Sequence, residues 1–256
     1  NFGALKKRHG TILPITDEEY KAIKAKYSDE VPEPEQKVLA DFNFDDETTG
    51  FESENAKATG NYTLKDSYNE KAGKAVYLDG SADQYLQVTD KEGKSLLTGS
   101  RSMTVSFDMK ADRTSTNWAM YAAPNSTAPT YKYEKYLGIL NANGETTAQR
   151  YNNNGTRPAS VSANSGNDWS HIDVVYAEDS TSIYVNGEKK ATEKSDYDLS
   201  TILGKNSILQ IGKANWGSGE YFKGWIDNFR IENRALSEEQ VTALSEDFVA
   251  TLPAVI

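Results

Sequence analysis

The stretch that decides the fold runs from Phe222 to Leu244 and reads FKGWIDNFRIENRALSEEQVTAL. Ile226, Phe229 and Ile231 are the residues it offers to a core, but Asp227 and Asn228 stand between them. A pleated strand sends alternate side chains to opposite faces, so a step of three between buried residues breaks its period. One extra residue in the strand, a β-bulge, absorbs that step and turns Asp227 outward. The stretch therefore predicts a bulged core strand followed by a helix. Ser237 and Gln240 form the helix's capping box, and Leu236 with Val241 the matching hydrophobic staple. Val241, Leu244 and Phe248 share one helical face, which is expected to close a sheet edge.

Working back from this segment, the period of two persists to Val38. In SMTVSFDMKA, Met103, Val105, Phe107 and Met109 alternate with polar residues. In HIDVVYA, Ile172, Val174 and Tyr176 do the same. TSIYVNGEKKA places Asn186-Gly187 between two strand-like runs, which predicts a type I′ hairpin because both turn positions need positive φ. SILQIGKA is another strand, with either Ile208, Gln210 and Gly212 or Leu209 and Ile211 on the inner face. VLADFNF puts Phe42 and Phe44 on one face and leaves Leu39 out of step. Strands at this spacing, with no helical period between them, predict an all-β antiparallel two-sheet sandwich.

Residues 1–36 differ. A basic arm is followed by TDEEYKAIKAKY, whose Thr16 and Glu19 form a capping box ahead of Tyr20, Ile23 and Tyr27 on one helical face. SDEVPEPEQ then reads as an extended linker. The expected organisation is an arm, helix and linker over 1–36 and a β domain over 37–256. The chain begins at Asn1 without Met and is expected to be a piece of a longer protein.

Composition removes several functions. A net charge of −10 disfavours nucleic acid and anionic membranes, and leaves neutral polymers and cations open. No cysteine is present, so thiol catalysis and disulfides are excluded. No apolar run approaches the roughly 18 to 20 residues of a membrane span. No Glu is followed by Asp two places on, the pattern that would set paired catalytic carboxylates on one strand face. The two histidines, His9 and His171, show no Ser-His-Asp spacing, so the segment is not expected to be an enzyme.

The run DWSHIDVVYAEDSTSIYVNGEKKA, then ILQIGKANWGSGEYFKGWIDNFRIENRALSEEQVTAL, resembles the laminin-G-like, concanavalin A-like jelly-roll modules of bacterial carbohydrate-active enzymes. The resemblance is carried by Trp169, the Tyr184–Gly187 hairpin, Ile211-Gly212, Gly-x-Ile-Asp-x-x-Arg-Ile over 224–231, and Arg234–Ser237. RHGTILPITDEEY is similar to the segment after the catalytic propeller of arabinosidase- and xylosidase-type glycosidases. The resemblance implies a lectin-like sandwich on a secreted or cell-surface bacterial glycoside hydrolase, binding plant polysaccharide or host glycan. A structural Ca²⁺ is also implied. In a jelly roll the first and last strands are commonly neighbours, so Asp45 or Asp46 is expected to meet Asp227 at that ion, since Ca²⁺ takes carboxylates together with loop carbonyls.

Sugar rings pack their C–H faces on Trp and Tyr, while hydroxyls need polar side chains around the ring. The expected contacts are Trp216 in NWGSGEY with Tyr221 after it, the group Arg150, Tyr151 and Asn152, and Trp118. Trp169 and Trp225 are assigned to the core. The rival readings are a protein-binding adhesion module, which requires an exposed apolar patch, and a spacer packed on the catalytic domain of the parent chain.

Overall fold

The structure is a computed structural model; it describes residues 16, 18–19, 35–112, 115–124, 135–152, 160–195, 199–215 and 220–252. The chain divides into two compact units, Asn1–Pro32 and Glu33–Ile256. In the first unit, Thr16 N donates to Glu19 Oε2 at 2.8 Å and Glu19 N donates to Thr16 Oγ1 at 3.2 Å, closing the capping box read from the sequence. The rest of the expected helix, Tyr20 to Tyr27, lies outside the described residues.

The second unit is built from strands. In chain order they are β1 (Val38–Phe42), β2 (Ala56–Asn61), β3 (Thr63–Asp66), β4 (Lys74–Asp79), β5 (Tyr85–Asp90), β6 (Met103–Ala111) and β7 (Asn117–Pro124). There follow β8 (Lys135–Ala142), β9 (Glu145–Asn152), β10 (Ser160–Asn164), β11 (Ser170–Tyr176), β12 (Ser180–Val185), β13 (Glu188–Lys194), β14 (Ser207–Ile211) and β15 (Lys223–Glu232). Among the described residues of this unit the α-helices are α1 (Leu199–Leu203) and α2 (Glu238–Val249). The strands form two antiparallel sheets, one ordered β13-β12-β11-β6-β15-β4-β3 with β1 also on β15, the other β10-β9-β8-β7-β14-β5-β2.

The core lies between the sheets. One supplies Val105, Phe107, Ile172, Val174, Ile226, Phe229 and Ile231, the other Met120, Leu137, Ile139, Leu209 and Ile211. This settles the face of β14: Leu209 and Ile211 point inward, so Ile208 and Gln210 point out. The Asn186-Gly187 turn has φ of 53° and 76°, as a type I′ hairpin requires. Leu39 falls out of step because β1 shifts register between Val38 and Ala40.

Strand β15 explains its own sequence. Lys223–Ile226 pair with β4 and Phe229–Glu232 pair with β1, so two short strands share one edge in succession. On the other edge the register with β6 shifts between Asp227 and Arg230, which is the bulge, and Asn228 has φ of 48°. Asp227 and Asn228 sit where β4 hands over to β1. They are polar because no continuous ladder occupies that edge.

Helix α2 does not close a sheet edge as expected. It lies over the outer face of the first sheet, where Val241 and Leu244 cover Val175 and Tyr184. Those two outward apolar residues on β11 and β12 need cover from water, which the sheet edge does not. Trp169 and Trp225 are corrected too, since both are half-buried outside the core. Trp225 packs edge-on against Tyr77 on the outer face, with centroids 4.7 Å apart.

Candidate functional site

Two surfaces concentrate chemistry, one on the outer face of each sheet. On the second sheet, β7, β8 and β9 set Trp118, Tyr121, Tyr136 and Tyr151 on the face away from the core, in a cluster of their own. Trp118 meets Tyr121 and Tyr136 edge-on at 6.1 and 5.9 Å, and Tyr136 lies 5.5 Å from Tyr121 and 5.3 Å from Tyr151. Such offset and edge contacts are what ring quadrupoles favour. A glycine makes the ladder possible: a Cβ on Gly138 would stand 2.3 Å from Cζ3 of Trp118, so the indole lies directly on the β8 backbone. The indole N–H donates to Glu220 Oε2 at 2.7 Å, and Tyr136 donates its hydroxyl to Gln149 Oε1 at 2.7 Å.

Register extends this face across the sheet. Gln149 pairs with Gly138, Gly138 with Tyr121, Tyr121 with Gln210, Gln210 with Gln87 and Gln87 with Thr59. One row therefore carries three glutamines, a tyrosine and a threonine, without an ionised side chain. At the β14–β5 end the face opens. Tyr85, Gln87, Ile208 and Tyr221 are half-buried, and the Lys213 ammonium lies 4.4 Å from the Tyr85 ring centroid and 5.8 Å from that of Tyr221. A cleft of about 270 Å³ continues from there, walled by Gln87, Thr89, Lys94, Ser95, Ser207 and Ile208.

The residues expected from sequence divide accordingly. Trp216 lies outside the described residues. Tyr221 is half-buried beside Trp118, to which it is bridged, while Trp118 and Tyr151 are 3% and 2% exposed inside the ladder. Arg150, Tyr151 and Asn152 do not form one surface, because strand alternation separates them. Arg150 faces the opposite way from Tyr151 and is fully buried. Its Nη2 donates to the carbonyls of Ala177 at 2.5 Å and Ser180 at 3.0 Å, and its guanidinium carbon lies 5.7 Å from the Tyr176 ring centroid. It is a tie between the sheets, not a surface contact. Asn152 shares its side of β9 and is half-buried at the strand end. Sequence reading missed Gln87, Gln149 and Gln210 because only cross-strand register brings them into line.

On the first sheet a cavity of about 720 Å³ opens over the bulge, lined by Asp45, Tyr68, Asp108, His171, Asn228 and Arg230 among others. At its floor, His171 Nδ1 is 2.6 Å from Asp108 Oδ1 and His171 Nε2 is 3.1 Å from Ser106 Oγ. Ser106 and Asp108 lie two apart on β6 and His171 stands opposite on β11, and the three have the arrangement of a hydrolase triad. A second carboxylate changes their chemistry, for Asp173 Oδ1 is 3.3 Å from the same Nε2. Burial pulls the imidazole pKa down, but hydrogen bonds to Asp108 and Asp173, and their charges, push it up to about 10. At neutral pH His171 is an imidazolium without the lone pair a general base needs. The network is a buried ion cluster.

The three aspartates expected at calcium are placed differently from one another. Asp227 is fully buried, accepting from Ser67 Oγ at 2.5 Å and from Asn228 N at 2.8 Å. Burial, with added repulsion from Asp108 and Asp45, pushes its carboxyl up to about 8. Asp45 thus acts on Asp227 electrostatically, while its own Oδ1 accepts from Lys74 N at 3.0 Å. Asp46 does not join them. Its carboxylate caps its own turn, accepting from Thr48 N, Thr49 N and Thr49 Oγ1 at 2.7 to 2.8 Å. Among the described residues no group of three His, Cys, Asp or Glu side chains is arranged to hold a metal. Asp46 is held apart by its own turn, and Asp45 and Asp227 remain as the carboxylates expected at the ion.

A two-sheet antiparallel sandwich of this order, with a polar-aromatic outer face, has the concanavalin A-like architecture. The family model described as the concanavalin A-like lectin/glucanases superfamily, Laminin_G_3, matches residues 79–242, more than half of the chain, and the chain belongs to that family. Among solved structures it is similar to domain 4 of AbnA, a GH43 extracellular arabinanase from Geobacillus stearothermophilus, in complex with arabinotriose. The two share 23% identity at a TM-score of 0.59, over 83% of this chain and 100% of that one. It is also similar to the binding domain of botulinum neurotoxin DC in complex with rat synaptotagmin II, at 16% identity and a TM-score of 0.54. The binding domain of serotype D gives 16% and 0.59, and both toxin matches cover 82% of this chain and 51% of the other. At these identities the likeness is one of fold. No curated protein sequence matches the chain significantly.

Proposed function

We propose that this chain is a non-catalytic carbohydrate-binding module of a secreted bacterial glycoside hydrolase, holding plant polysaccharide or host glycan on the outer face of its second sheet. The observation that carries the proposal is the register row of glutamines, tyrosine and threonine beside the aromatic ladder. Rings for sugar C–H faces and amides for sugar hydroxyls stand together on one face. Tyr85, Tyr221 and Gln87 are its open contacts, and Trp118, Tyr121, Tyr136 and Tyr151 are the wall behind them. The ligand of the arabinanase domain, arabinotriose, supports a glycan over other polymers. The protonated state of His171 supports a binding role over a catalytic one.

The rival docking reading requires a broad apolar patch. Among the described residues, the exposed large hydrophobics are Val249 and Leu252 alone. Calcium enters this reading in reduced form, with Asp45 and Asp227 as the carboxylate ligands and its role to neutralise them. The test is retention by soluble polysaccharides in native affinity gels, for the parent and for Tyr221→Ala and Tyr85→Ala. Loss of retention with unchanged melting supports the face, and unchanged retention in both variants refutes it.

A further inference from the structure

The glutamine row has a fixed polarity. Gln87 Nε2 donates to the backbone carbonyl of Leu209 at 3.1 Å. A carbonyl only accepts, so this bond fixes which end of the Gln87 amide is nitrogen. Gln87 must then present Oε1 to its cross-strand partner, and Gln210 Nε2 donates to it at 3.4 Å. The same logic fixes Gln210, whose remaining polar atom is an acceptor. That atom, Gln210 Oε1, is buried without a hydrogen-bond partner, in a side chain only 8% exposed. Gln87 and Ile208, its neighbours on the same face, are walls of the 270 Å³ cleft.

A buried acceptor without a partner is costly, and natural sites keep one where a ligand or water supplies the donor. We propose that Gln210 Oε1 accepts a hydroxyl hydrogen from a neutral sugar unit seated in this cleft, so that the relay from Leu209 through Gln87 selects uncharged glycans over uronic or sulfated ones. The inference rests on the glycan reading above and adds the ligand class. A carboxylate or sulfate brings only lone pairs to that point, leaving two acceptors face to face. A hydroxyl completes the chain, and the row around it holds no cation to compensate an anion. Of the two lysines at this end of the face, Lys94, a wall of the cleft, is an exposed side chain paired with Glu92 at 3.6 Å, and Lys213 is engaged by the Ala82 carbonyl at 3.2 Å and by the Tyr85 and Tyr221 rings.

The test uses calorimetric titration of the whole chain with three soluble probes: linear arabinan, xylan and polygalacturonate. The relay predicts that at least one neutral probe binds and that polygalacturonate binds at least tenfold more weakly. Gln210→Leu, which removes the acceptor at similar volume, weakens the neutral probe about tenfold, the discrimination expected for one buried hydrogen bond. A second readout needs no folded variant: the Gln210 side-chain amide resonances shift as the neutral probe is added. Binding by neither neutral probe overturns the glycan reading and this inference with it. Neutral binding that persists in Gln210→Leu, leaves the amide resonances unmoved, or is matched by polygalacturonate overturns the relay alone.

Discussion

The protonated state of His171 gives the sharpest physical prediction. The side chain is 5% exposed, wedged between Asp108 at 2.6 Å and Asp173 at 3.3 Å, and its pKa stands near 10 against an ordinary 6.5. One pKa unit is worth about 1.4 kcal/mol, so the pairing contributes on the order of 5 kcal/mol. Because the folded pKa is raised, that contribution is fully present below about pH 6.5 and is lost as pH rises through 10. The assay is the C–H spectrum of the imidazoles between pH 5 and 9. The chain has only two histidines, so His171→Gln identifies the resonance. His171 is expected to hold the imidazolium position throughout, while urea midpoints fall from pH 7 to 10. Asp173→Asn lowers the pKa and moves that fall to lower pH. A His171 resonance that titrates between pH 6 and 7.5 in the folded protein would refute the pairing and revive Ser106 as a candidate nucleophile.

Three further outcomes follow from the same geometry. Gly138→Ala forces Cβ into the Trp118 ring, 2.3 Å away, and should cost about 1 to 3 kcal/mol by urea denaturation, with a shift in tryptophan emission. Arg150→Met leaves the Ala177 and Ser180 carbonyls without their buried donor, and is expected to destabilise by about 2 to 4 kcal/mol. Glycan affinity of its folded fraction is unchanged, whereas lost affinity at unchanged stability would return Arg150 to the surface. In calcium-free buffer Asp227, with its pKa raised from 3.8 to about 8, favours the protonated fold. Melting temperature should therefore fall as pH rises from about 4 to 8 and flatten on adding Ca²⁺. Asp227→Asn removes the fall between about pH 4 and 6.5, below the range of the His171 pairing, together with the calcium response, and a variant that keeps that response excludes Asp227 as a ligand.

The fold was legible because its deciding segment breaks a rule visibly. Ile226 and Phe229 cannot share a strand face without a bulge, and Asn186-Gly187 suits few other turns. The orientation of β14 was not legible, since Ile208 and Gln210 alternate as well as Leu209 and Ile211 do; sheet order alone decides it. The site was read less well for a related reason. Arg150, Tyr151 and Asn152 look like one group in sequence, but a strand sends neighbours to opposite sides. Gln87 and Gln210, 123 residues apart, meet only through register. Trp169 and Trp225 read as core because large rings usually are, yet here they cover the outer face of a sheet. Ser106, Asp108, His171 and Asp173 meet across two paired strands, which spacing along a chain does not disclose.

The outer face of the second sheet is proposed to hold a neutral glycan. Its most direct test is the chemical-shift map of the whole chain titrated with arabinotriose, xylotriose and trigalacturonate. A neutral trisaccharide is expected to move Tyr85, Gln87, Gln210 and Tyr221 together and to leave His171 and Asn228 still. Shifts confined to the cavity over the first sheet, with the glutamine row unmoved, would contradict it.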